Sequence, residues 1–105
     1  MRIKMKTRDE AEGLYNLIVY LLKANPYSNR MEKILDLAMF RISEQIRKKL
    51  ISRHPRDYHI TLDEEDSLKF EEWLAQNEGS IPFNTYVYEL NTATQISTQI
   101  NKQYG

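Results

Sequence analysis

Residues 30–53 read RMEKILDLAMFRISEQIRKKLISR. Apolar side chains fall at Met31, Ile34, Leu35, Leu37, Ala38, Ile42, Ile46 and Leu50, the three-and-four spacing that gathers residues on one face of an α-helix. No Gly or Pro interrupts the run, and Leu, Met, Glu, Gln, Lys and Arg favour helix wherever packing does not decide. At about 1.5 Å per residue the element spans roughly 35 Å, the width of a small domain. Phe40 lies across the helical wheel from the main stripe, so the helix is expected to meet neighbours on more than one side. Asn29 followed by Glu32 predicts the N-terminal cap. Arg47, Lys48, Lys49 and Arg53 crowd the other end, where free carbonyls favour cations. His54 precedes Pro55, which disfavours helix at the residue before it, so the helix is expected to stop near Arg53.

Working toward the N-terminus, the short linker Pro26–Ser28 predicts an antiparallel hairpin with a preceding helix. Thr7 and Glu10 have capping-box spacing and open that helix, predicted over residues 8–24. Ala11, Leu14, Ile18, Leu21 and Leu22 form its buried stripe, widened by Tyr15 and Leu17, while Gly13 inside it suits close packing against a neighbour. Before it, Met1, Ile3 and Met5 alternate with Arg2, Lys4 and Lys6, the period of a short strand.

Beyond Pro55 the same organisation returns. Tyr58, Ile60 and Leu62 alternate with His59 and Thr61, which makes a two-stranded ribbon between residues 2–6 and 58–62 compatible with the sequence. Such a ribbon needs helices behind it to be stable. A third helix follows over residues 63–77, started by Asp63 and by acids that suit free amides, with Ser67, Phe70, Trp73 and Leu74 facing inward. Trp73 is the foremost core candidate, and Gly79 is the expected stop. The remainder is harder to read: Asn84 suits a cap, and Tyr86, Val87, Leu90, Ala93, Ile96, Ile100 and Tyr104 fit helical spacing, yet Tyr86–Leu90 alone fits a strand equally well. Residues 91–105 are rich in Thr, Asn and Gln, so they are expected either to fray or to be ordered by association with a second chain. The fold class is therefore mainly α: one domain of 105 residues, a small antiparallel bundle of three to four helices with room for the short ribbon.

Charge narrows the function. The fifteen basic and fifteen acidic residues cancel, but unevenly: residues 30–56 carry eight basic and three acidic groups, and residues 57–78 carry one and eight. The two segments are expected to neutralise each other. A basic surface of Arg41, Arg47, Lys48, Lys49, Arg53 and Arg56, with Tyr58 as a stacking group, is the best candidate for binding nucleic acid, but zero net charge offers no overall attraction to a polyanion. His54, Asp57 and His59 lack a fourth metal ligand. No phosphate-cradling glycine loop, HExxH, GxSxG or cysteine is present, so no catalytic, metal or cofactor site is expected. The longest early apolar run, Leu17–Leu22, is six residues, far below the roughly 20 needed to cross a membrane. A cytoplasmic protein is expected, acting through association with a protein, most simply as a homodimer. Phe40, Leu90, Ile96, Ile100 and Tyr104 are the candidate contact residues, and nucleic-acid binding is the alternative.

Overall fold

The computed structural model describes residues 1–52, 58–82 and 86–105. In chain order the elements are β1 (Arg2–Met5), α1 (Arg8–Ala24), α2 (Arg30–Ile51), β2 (Tyr58–Thr61), α3 (Glu64–Asn77), a 3₁₀ turn (Glu78–Ser80) and α4 (Val87–Tyr104). The helices pack as a ring: α1 and α3 each lie against both α2 and α4. Four helices and a short antiparallel ribbon thus make a small, mainly helical bundle.

The helix starts form for the reasons visible in the sequence. Thr7 Oγ1 accepts the Glu10 amide at 3.2 Å, Asn29 Oδ1 the Glu32 amide at 2.9 Å and Asp63 Oδ1 the Asp66 amide at 2.7 Å, each giving a partner to an amide that the helix leaves free. The ends differ more. Helix α2 stops at Ile51, two residues before the expected position, because Ser52 turns extended and its amide bonds the Lys49 carbonyl. Gly79 does not end α3 in a left-handed reversal: no described glycine has positive φ, and the chain instead tightens from Asn77 into the 3₁₀ turn. Asn77 Nδ2 donates to the Trp73 carbonyl at 2.9 Å, so a side chain satisfies part of the α3 terminus. The expected Asn84 cap lies outside the described residues, as do Arg53, His54, Arg56 and Asp57.

The ribbon pairs Arg2 with Thr61, Ile3 with Ile60, Lys4 with His59 and Met5 with Tyr58. Its inner face, Ile3, Met5 and Ile60, is buried, and β2 rests on α2. Gln45 fixes it there: its amide nitrogen donates to the Thr61 carbonyl and its amide oxygen accepts the Thr61 amide, both at 3.1 Å. A side-chain amide on α2 thereby serves as a third strand at this one position, which helps explain why so short a ribbon persists.

Inside the ring, α1 contributes Leu14, Leu17, Ile18 and Leu21, α2 contributes Leu35, Met39, Ile42 and Ile46, and α3 contributes Phe70 and Trp73. Met31, Ile34 and Leu37, expected on the buried stripe of α2, are instead 61%, 38% and 51% exposed. Leu35, Ala38, Met39, Ile42, Ser43 and Ile46 already form a continuous three-and-four ladder toward the neighbours, and those three residues lie off it. Residues 91–104 belong to α4, whose Ala93, Ile96 and Ile100 are buried, and the ring of Tyr86, just before α4, meets Tyr20 of α1 at 5.0 Å. The packing partner for this polar stretch lies within the same chain. Thr98 Oγ1 donates to the Thr94 carbonyl at 3.0 Å, so this hydroxyl is satisfied on the helix itself.

Candidate association surface

Because the inner ladder of α2 satisfies the core, the apolar residues left over on this helix face outward. Ile34 and Leu37 join Tyr27, Arg30 and Lys33 around an open depression of about 530 Å³. The Lys33 ammonium sits 5.7 Å from the centre of the Tyr27 ring, within cation–π range. Phe40, 55% exposed, stands at a second groove, between α1 and α2, lined by Tyr15, Val19, Leu22 and Ser43 and about 340 Å³ in volume. Phe40 is thus an outward-facing apolar residue, as the sequence suggested, and α4 does not cover it.

The other contact candidates divide. Ile96 and Ile100 are 2% and 0% exposed; they are core residues of the single chain, since α4 turns them toward α1 and α3 rather than toward a second molecule. Leu90 and Tyr104 are half-buried against the same core. Ile34 and Leu37 are exposed apolar residues that the sequence placed on the buried stripe. Their spacing could not reveal them, because it fits the buried stripe as well as the exposed one.

Charges on α2 are held by specific partners. Arg41 Nη2 lies 3.0 Å from Asp66 Oδ1 on α3, which joins the basic and acidic segments. Arg47 instead grips Glu44 on its own helix, with Nε at 3.0 Å and Nη2 at 2.8 Å from Glu44 Oε2. That hydrogen bonding holds the Glu44 carboxyl below its usual range, against a smaller opposing effect of desolvation. Arg47, Lys48 and Lys49 follow one another in sequence, so at about 100° per residue they fan over roughly 200° of the helix and do not form one phosphate-facing row. Tyr58 is half-buried opposite Met5 in the ribbon.

A small polar niche closes the opposite end of the α2–α3 contact. Trp73 Nε1 donates to Asp36 Oδ1 at 3.2 Å, and Asn25 Nδ2 donates to Asn77 Oδ1 at 3.0 Å. Desolvation raises the Asp36 carboxyl above its ordinary value; the indole hydrogen bond lowers it, and the Glu32 charge adds to the rise. Among the described residues, no group of three or more His, Cys, Asp and Glu is placed to hold a metal ion, and no helix is long and apolar enough to cross a membrane. No family model matches the sequence, and neither a curated protein nor a solved structure matches the chain.

Proposed function

We propose that this protein is a non-catalytic, cytoplasmic association module, with a second copy of the same chain as its simplest partner. The observation that carries the reading is the outward face of α2, where Ile34, Leu37 and Phe40 remain accessible on a helix whose inner face already fills the core. Grouped exposed apolar side chains on a small domain are characteristic of contact sites. The basic end of α2 supports nucleic-acid binding less, because Arg47, Lys48 and Lys49 fan around the helix rather than forming one row and the chain carries no net charge.

Equilibrium sedimentation of the full chain over a wide concentration range tests the proposal. The average mass is expected to rise toward that of two chains, and Leu37→Glu should suppress the rise without changing the helical circular dichroism, since Leu37 is outside the core. A wild-type mass that stays at one chain at the highest concentration would remove self-association as the function.

A further inference from the structure

Positions 34, 37, 41, 44, 48 and 51 of α2 alternate three and four apart, the spacing of a single seam along a helix. All six face away from the core. Ile34, Leu37 and Ile51 are 38%, 51% and 68% exposed, the Arg41 and Glu44 side chains are 54% and 30% exposed, and Lys48 is exposed. From end to end the seam reads Ile, Leu, Arg, Glu, Lys, Ile. Laid against itself in the same direction, it places Arg41 on Arg41, Glu44 on Glu44 and Lys48 on Lys48. Laid against itself in the opposite direction, it places Arg41 on Glu44 twice, Ile34 on Ile51 twice, and Leu37 on the aliphatic stem of Lys48 twice.

We infer that two copies of this chain pair antiparallel through α2, about a two-fold axis passing between Arg41 and Glu44. This rests on the association reading above and adds the direction and the register. Charge pattern selects the direction, since juxtaposed like charges oppose pairing and the antiparallel match removes them; a two-fold contact must also be self-complementary, which this seam is. The existing ion pairs leave the groups able to serve. Arg41 uses one terminal nitrogen on Asp66, and a guanidinium has five N–H donors. Glu44 is steadied by Arg47, and its two carboxylate oxygens have lone pairs beyond those bonds. Phe40 widens the contact on the α1 side. One helix face per copy lies at the small end of specific interfaces, so a weak, concentration-dependent dimer is expected.

The test uses charge exchange and then crosslinking, on full-length chains. R41E and E44R should each weaken self-association at least tenfold, because each sets like charges together twice. An equimolar mixture of the two should recover dimers, since in the mixed pair both contacts are again opposite in sign, and the double variant R41E/E44R should dimerise like the wild type. Circular dichroism of each variant checks that these exposed positions leave the fold intact. Because the chain has no cysteine of its own, Ile34→Cys mixed with Ile51→Cys should form an intermolecular disulfide under mild oxidation, while each alone should not. Preferential pairing of R41E with the wild type, or a disulfide between two Ile34→Cys chains, would establish a parallel pair and overturn the inference. Dimers indifferent to all of these changes would overturn the register while leaving association standing, whereas a monomeric wild type would end both.

Discussion

The indole nitrogen of Trp73 on α3 donates a hydrogen bond to Oδ1 of Asp36 on α2 at 3.2 Å, and Trp73 is otherwise only 2% exposed. The largest side chain in the chain thus fills the core with its rings and stitches two helices with its one polar atom. Trp73→Ala is expected to cost about 3–5 kcal/mol, through the cavity and the lost partner of Asp36, a large share of a small domain's stability. Trp73→Phe keeps much of the volume and should cost less. Urea midpoints of the three proteins decide this; an unchanged midpoint for Trp73→Ala would remove Trp73 from the core.

Asp36 gives stability a specific pH dependence. Its folded carboxyl is raised from an ordinary value of 3.8, first by desolvation, so folding favours the protonated form. Its favourable contribution is therefore fully present below that ordinary value and is lost as pH rises through the raised one. Asp36→Asn retains an acceptor for the indole but carries no charge. It should be more stable than the wild type at pH 7, with the advantage shrinking as pH is lowered toward 4. Paired urea titrations at the two pH values check it; an advantage that grows on acidification would show that the carboxylate is favoured by the fold.

Gly13 is buried where α1 meets α4, and a Cβ built on it would lie 3.1 Å from Cγ of Glu89. In a helix interior Ala is favoured over Gly by roughly 0.5–1 kcal/mol, and the obstructing atom belongs to a flexible side chain. Gly13→Ala is expected to be mildly stabilising, and more so when combined with Glu89→Ala, which clears the space. Thermal unfolding of the two single variants and the double variant gives the coupling. A large loss for Gly13→Ala that Glu89→Ala does not relieve would place the obstruction in the helix backbones instead.

Nucleic-acid binding is expected to be weak. The chain carries no net charge, and the attraction that its exposed cations can offer a polyanion falls steeply with salt. Fluorescence anisotropy with mixed-sequence DNA and RNA should show no sub-micromolar binding at physiological ionic strength. Tight binding that persists as salt is raised would reverse the order of the two readings.

Local chemistry was the legible part of this fold. Thr7, Asn29 and Asp63 cap as their side chains require, and the alternation of Ile3 and Met5 against Ile60 gives the ribbon its buried face. The rest depends on distant partners. The rotation of α2, which exposes Ile34 and Leu37, is set by α1 and α3, because several apolar rows compete on one helix. The clamp of Gln45 on Thr61 joins a polar residue on a helix to a strand sixteen positions on, which no periodicity reports. Likewise Ile96 and Ile100 read as a stripe without a destination until α1 and α3 provide one. Of the exposed apolar residues on α2, Phe40 was legible in the sequence, while Ile34 and Leu37 became recognisable only once the core was seen to be complete without them.

The ribbon also bears on the order in which the protein folds. Strands β1 and β2 bracket the entire α1–α2 hairpin in sequence, so pairing Ile3 with Ile60 closes a long loop whose entropic cost is recovered only after that hairpin is compact. Helix pairs joined by short connections have no such delay. The ribbon is therefore expected to form late, on the native side of the barrier. Ile60→Val should accelerate unfolding and leave the refolding rate nearly untouched, whereas a truncation at Ile42 in the α2 ladder should slow refolding. Stopped-flow chevrons would separate the two, and equal slowing of refolding by both would mean that the two strands meet before the helices between them pack.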